Sequence, residues 1–122
     1  ENTEEYDDVK IAVTDIIHKL GVPAHIKGYK FLRTAILEST ANPSYLEAVT
    51  KKLYPRVAEI HQTESARVER AIRHALEIAW NRNDKTAINE FFGCNTENFT
   101  SRPTNSEFIA LASDKLAMHL KR

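Results

Sequence analysis

The sequence predicts a compact all-α bundle of about six helices that contains a helix-turn-helix. The chain has 122 residues, the size of one domain, and 42% of them are hydrophobic. It has only three glycines and four prolines, so long stretches run without a helix breaker. Apolar residues recur at intervals of three and four, and no strand-like alternation or internal repeat is present.

The first two predicted helices cover about residues 8–20 and 27–40. In the first, apolar residues follow Asp8 at helical spacing, and Gly21 favours a helix end. The residues before it are acidic and lack an apolar period. We therefore expect residues 1–8 to be a linker and residues 9–122 to form the domain.

The middle of the chain predicts a helical stretch over 44–61 and a long helix from Ser65 to about residue 81. Ser44 is the expected cap of the first stretch. Pro55 predicts a kink or a break there, and the sequence leaves open whether the stretch is one helix or two.

The last third predicts a short helix over 84–92, a polar loop over 93–103 and a closing helix. Thr104 and Glu107 have the spacing of a capping box, in which each side chain binds the other residue's backbone N–H. The chain therefore ends in a helix with a strong start signal.

Charge and cysteine content limit the function classes. The formal net charge is zero, but residues 9–122 hold 17 basic and 12 acidic residues, which allows a polyanionic partner. The single cysteine, Cys94, excludes an internal disulfide and fits a reducing cytosol. No apolar run reaches the roughly 18 to 20 residues of a membrane span, so we expect no membrane association. The chain does not start with Met, and we expect it to be part of a longer protein.

The sequence offers little for catalysis. Its five histidines lack the spacing of a metal-binding helix, and no glycine-rich loop is present that could hold a phosphate. We therefore expect no metal, no cofactor and no enzymatic activity.

The most informative stretch is residues 53–80, LYPRVAEIHQTESARVERAIRHALEIAW. A helix-turn-helix needs a small residue in its first helix and a β-branched anchor in its second, and Ala58 and Val68 have the required spacing. Gln62 stands in the turn where such motifs often have glycine, and it carries a modest cost if its φ is positive.

The outward face of the second helix predicts base contacts. With Val68 on the inner side, Glu69, Arg70 and Arg73 fall on the opposite side near the N-terminal end, which is the end that enters a major groove. Arginine matches the O6 and N7 acceptors of guanine, and a carboxylate accepts from the cytosine amino group. The alternative is a solvated face on which Glu69 and Arg73 form an ion pair.

The segments LYP at 53–55, VERAIRHALEIAW at 68–80 and PTNSEFIA at 103–110 strongly resemble the DNA-binding effector domains of the stage zero sporulation protein A family, over essentially residues 9–120. The resemblance implies a six-helix domain joined by a flexible hinge to an N-terminal phosphoacceptor receiver. It also implies a cytoplasmic, nucleoid-associated regulator of sporulation that activates and represses transcription as a dimer on tandem DNA sites. Glu69, Arg70 and Arg73 would then read bases in the major groove.

Two further sets of contacts are expected. Backbone or supporting contacts to DNA are assigned to Ser65, Arg67, Thr63, His18 and Lys27. By the resemblance, the helix over 84–92 meets RNA polymerase sigma factors, and its exposed candidates are Lys85, Ala87, Asn89 and Glu90. The alternative for this helix is a packing element with an inert exterior. For the whole domain, the rival hypothesis is a helical protein-interaction module of the docking or anti-sigma type.

Overall fold

The computed structural model describes residues 3–82 and 102–120, with side chains from 8–82 and 102–118. These residues form five α-helices and no strand, which confirms the all-α prediction. The helices are α1 (Thr3–Lys19), α2 (Lys27–Ala41), α3 (Tyr54–His61), α4 (Ser65–Arg82) and α5 (Asn105–Leu120). About six helices were predicted; the one over 84–92 lies outside the described residues, as does most of the predicted loop.

Helix α1 begins at Thr3, several residues before the predicted start at about residue 8. The predicted start of the helix is therefore about five residues too late, while the role of residues 1–8 as a linker stays a prediction. The linker was inferred from a missing apolar period, but that period reports which residues are buried rather than whether the backbone is helical. No glycine or proline interrupts the chain before Gly21, whose φ of 90° ends the helix as predicted.

Helix α2 lies at the centre of the bundle and packs against the other four helices. Its bounds agree with the predicted 27–40 to within one residue. Lys27, Lys30 and Ala41 are its exposed residues, and the others are buried or partly buried. Its buried residues are Gly28, Tyr29, Phe31, Leu32, Ala35, Ile36 and Ser39.

The stretch that the sequence left open is three short elements. A 3-10 helix (Pro43–Glu47) leads to a π-helical turn (Val49–Leu53) and then to α3. Ser44 was wrongly predicted as the cap: the side chain of Asn42 accepts hydrogen bonds from Ser44 N and Ser44 Oγ at 3.3 and 2.7 Å. Asn42 comes before Pro43 and so takes the position from which a side-chain oxygen reaches the first free N–H.

Pro55 lies in the first turn of α3, directly after the π-helical turn, and Leu53 and Tyr54 at the junction keep helical φ and ψ. The helical stretch therefore continues through the junction and changes its hydrogen-bond pattern just before the proline, which has no N–H to donate. The predicted capping box of the last helix is confirmed. Thr104 N donates to Glu107 Oε1 at 2.9 Å, and Glu107 N donates to Thr104 Oγ1 at 3.1 Å.

Candidate nucleic-acid interface

Helices α3 and α4 form the predicted helix-turn-helix. Ala58 and Val68 are 3% and 0% exposed at the contact between the two helices. Gln62 has φ 57° and ψ 50°, which is the left-handed conformation, so the cost considered for a positive φ applies here. Thr63 N donates to Ala58 O at 2.9 Å, which closes the turn. The close packing around Ala58 and Val68 outweighs the modest strain at Gln62.

Helix α4 has one apolar face and one polar face. Its buried residues are Val68, Ile72, Ala75, Leu76 and Ala79. Arg67 and Arg70 are exposed on the polar side, and Glu69 and Arg73 are partly exposed there. Burial of the apolar face fixes which side chains point outward, so the predicted direction of the arginines is confirmed.

Glu69 and Arg73 also form the ion pair that the sequence offered as the alternative. Arg73 Nη2 lies 3.5 Å from Glu69 Oε1, and both side chains are about 40% exposed (43% and 40%). A pair this exposed contributes only a few tenths of a kcal/mol. The pair therefore holds both side chains on the outer face and is weak enough to open when another ligand competes.

A groove of about 750 Å³ runs between the start of α2 and the outer face of α4. It brings together five of the eight residues predicted to contact DNA: Lys27, Thr63, Arg67, Arg70 and Arg73. Sequence analysis missed the contribution of His74, although its exposed position on α4 follows from the same helical spacing. Positive side chains thus dominate the groove, with Glu77 as the acidic residue among those that line it.

Three predicted residues lie outside the groove. Glu69 lies at the edge of the polar face of α4 next to α5, since its backbone carbonyl accepts a hydrogen bond from Asn105. Ser65 is partly exposed at the start of α4. His18 is exposed in the last turn of α1, and nearby Leu20 shares a small cavity with Leu76 and Trp80 toward the opposite end of α4.

A close helix crossing sets the width of the groove. A Cβ atom at Gly28 would overlap the carbonyl oxygen of Ala71 and lie 2.7 Å from Ala75 Cβ. Only glycine lets the backbones of α2 and α4 approach this closely. The crossing puts Lys27 beside the outer face of α4. Sequence analysis assigned a small residue at a helix crossing only to Ala58 and missed Gly28.

His61, at the end of α3, forms part of the groove wall. Its Nε2 lies 2.8 Å from Thr34 Oγ1, and its ring packs edge-on against Phe31 with centroids 5.1 Å apart. Burial, together with the positive charges of Lys30 and Arg33, lowers the pKa of His61 below its ordinary value of 6.5. A neutral imidazole therefore joins α3 to α2.

Within the described residues, no group of three or more His, Cys, Asp or Glu side chains could hold a metal ion. The same part of the chain has no helix long and apolar enough to cross a membrane. Lys85, Ala87, Asn89 and Glu90, the residues predicted to meet a sigma factor, lie outside the described residues.

The fold and the groove define an all-helical domain built around a helix-turn-helix with a positively charged outer face. The model of the family described as sporulation initiation factor Spo0A, C terminal, matches residues 13–116. The chain belongs to this family, and the resemblance found in the sequence is confirmed. It is a family of regulatory domains rather than of enzymes.

Proposed function

We propose that this chain is the sequence-specific DNA-binding output domain of a phosphorylation-controlled regulator of sporulation. The observation that carries the proposal is the groove along α4, where Arg67, Arg70 and Arg73 come together with Lys27 from α2. Arginine and lysine at such a surface match the charge of a phosphate backbone, and the outer face of α4 has the side chains that read base edges.

The proposed contacts divide into two kinds. Arg70 and Arg73 bind guanine, and Glu69 accepts from a cytosine amino group once its ion pair with Arg73 opens. The phosphates beside the DNA major groove are contacted by four other residues, Thr63, Ser65, Arg67 and Lys27. The first three lie at or near the start of α4, and Lys27 lies across the protein groove from it. His18, on α1, makes a separate contact to the backbone.

The test is binding to duplex DNA as a function of salt. Operators are first selected from random duplexes, and affinity is then measured against a scrambled duplex at several salt concentrations. We expect specific binding that survives competitor DNA. The logarithm of its association constant should fall linearly with the logarithm of the salt concentration. Lys27→Ala and Arg67→Ala each reduce that slope by about 1, because each removes one phosphate contact.

The matched control is Arg82→Ala, which removes an exposed positive charge from the last turn of α4 without changing the groove. It leaves the slope and the affinity unchanged. A domain that binds no duplex above the level of scrambled DNA would instead support the protein-interaction module, in which the same arginines meet an acidic protein surface.

We further propose that activation of transcription uses Lys85, Ala87, Asn89 and Glu90 to contact a sigma factor of RNA polymerase. In this proposal the full-length protein carries an N-terminal receiver, acts in the cytoplasm at the nucleoid, and binds tandem DNA sites as a dimer. The support is membership of the sporulation initiation factor family.

Charge reversal at Lys85 or Glu90 tests the polymerase contact. The variants are expected to bind the operator normally and to repress by occupying DNA, but to lose activation at a promoter that needs the protein. Parallel loss of activation and repression, or no change in either, would place the polymerase contact elsewhere.

A further inference from the structure

Asn105 is a buried polar residue at the start of α5, and it joins three helices. The residue is 7% exposed. Its Nδ2 donates to Tyr54 Oη at 3.1 Å and to the backbone carbonyl of Glu69 at 3.1 Å. One amide group thus holds the first residue of α3 and a point inside the N-terminal half of α4.

The orientation of the amide is fixed by its partner. A backbone carbonyl only accepts hydrogen bonds, so the NH₂ group of Asn105 must face Glu69 O. That carbonyl also accepts the α-helical hydrogen bond from Arg73 N, because its oxygen has two lone pairs. The contact of Asn105 is therefore an addition to the helix and replaces none of its own bonds.

The start of α5 does not need the Asn105 side chain. Thr104 and Glu107 satisfy each other's backbone N–H groups in the capping box. The side chain of Asn105 is directed instead at α3 and α4. Its contacts lie beneath the part of α4 that carries Glu69, Arg70 and Arg73.

A directional contact at this place has a consequence for recognition. Apolar packing holds α4 against the bundle but is non-directional, so it limits sliding and rolling of the helix less strictly than a hydrogen bond does. Base contacts by arginine forks need side chains placed to within about 0.5 Å. We propose that Asn105 is a positioning residue for DNA readout, which fixes the depth and rotation of α4 in the major groove through Glu69 O and Tyr54. This inference rests on the proposed function.

The test compares Asn105→Ala with Thr104→Ala. Both substitutions lie at the start of α5, but only the first removes the link to α4, whereas Thr104→Ala removes the capping-box bond to Glu107 N. Amide hydrogen exchange is measured without DNA, and operator and scrambled-duplex affinities are measured at a temperature where both variants are folded. If Asn105→Ala fails to fold, Asn105→Ser takes its place, because the serine hydroxyl is too short to reach both partners.

We expect exchange at residues 69–73 to be faster in Asn105→Ala than in Thr104→Ala. Operator affinity falls about 3- to 10-fold in Asn105→Ala, because the variant loses the net contribution of a hydrogen bond. Its affinity for scrambled DNA stays the same. Thr104→Ala lowers the melting temperature but keeps the ratio of operator to scrambled affinity.

Two outcomes would overturn the inference: equal exchange in the two variants, or an unchanged affinity ratio in Asn105→Ala. Failure of the proposed function itself is seen separately, as a wild-type domain without sequence preference. The exchange comparison needs no DNA, so it still decides whether Asn105 anchors α4.

Discussion

Arg70 and Arg73 lie almost one helical turn apart on α4 but have different surroundings. Arg70 is exposed, whereas Arg73 is 3.5 Å from the carboxylate of Glu69. Removal of Arg70 deletes one contact, but removal of Arg73 also changes the electrostatic environment of Glu69. Mutation of Arg70 therefore tests a single contact, whereas mutation of Arg73 tests its own contact and the ion pair with Glu69 together.

Arg70→Ala is expected to lose about 1–3 kcal/mol of operator binding and to relax the base preference at one position. Its melting temperature stays near that of the wild type, because surface substitutions of this kind change stability by about 0.5 kcal/mol or less. Binding to a panel of operators with single-base changes measures both effects. Equal weakening on every sequence would identify Arg70 as a phosphate contact instead.

Glu69→Ala is expected to change base preference more than total affinity. The substitution removes a carboxylate that repels phosphates and frees Arg73 for other contacts, so a loss at cytosine is offset by a general gain. The same operator panel measures the change, with Glu77→Ala as the control, since Glu77 is an exposed acid two turns further along α4. A uniform gain in both variants would mean that Glu69 reads no base.

At the scale of helices, close packing between α3 and α4 decides where the outer face of α4 lies. Ala58→Leu is expected to destabilise the domain by about 1–3 kcal/mol, because Ala58 is 3% exposed where α3 meets α4 and has no room for a larger side chain. Melting temperature and DNA binding fall together as the recognition helix tilts. A normal melting temperature with normal binding would contradict this packing.

Gly28→Ala tests the close crossing of α2 and α4, and the test depends on whether the melting temperature rises or falls. In a helix this change usually stabilises by roughly 0.5–1 kcal/mol. Here the new Cβ would overlap Ala71 O, so α2 and α4 must separate and the melting temperature is expected to fall. Thermal unfolding measures the sign, and a rise would show that the two helices separate without loss of packing.

The sequence was sufficient where a signal is local. Helical period and capping predicted α2, α4 and α5 to within a few residues, and the spacing from Ala58 to Val68 predicted the helix-turn-helix. It was insufficient where the cause is a tertiary contact. Gly28 contacts Ala71, which is more than 40 residues away in the chain, and Asn105 contacts Glu69, which is 36 residues away. A glycine or an asparagine in a sequence does not indicate which distant residue it will contact.

At the scale of the whole molecule, His61 links stability to pH. Its pKa in the folded domain lies below the unfolded value of 6.5, so between these values the unfolded chain binds more protons. His61 therefore favours folding above pH 6.5, and this contribution is lost as the pH falls through the folded pKa. Denaturant unfolding at pH 5 to 8 is expected to show the loss.

His61→Gln provides the comparison for that measurement, since glutamine can still bond Thr34 but does not titrate in this range. We expect a weaker pH dependence in the variant than in the wild type. An identical profile in the two proteins would assign the pH dependence to other groups.

The central position of α2 also has a consequence for synthesis of the protein. Helix α2 packs against α5, although residues 42–104 separate the two helices, so the core closes only after a long loop has been ordered. Asn105 follows Glu69 by 36 residues. A nascent chain thus contains both helices of the helix-turn-helix before it contains the amide that holds the second one. Translation therefore makes α4 before the residue that anchors it, and the contact that holds α4 in place forms only once the start of α5 has been made.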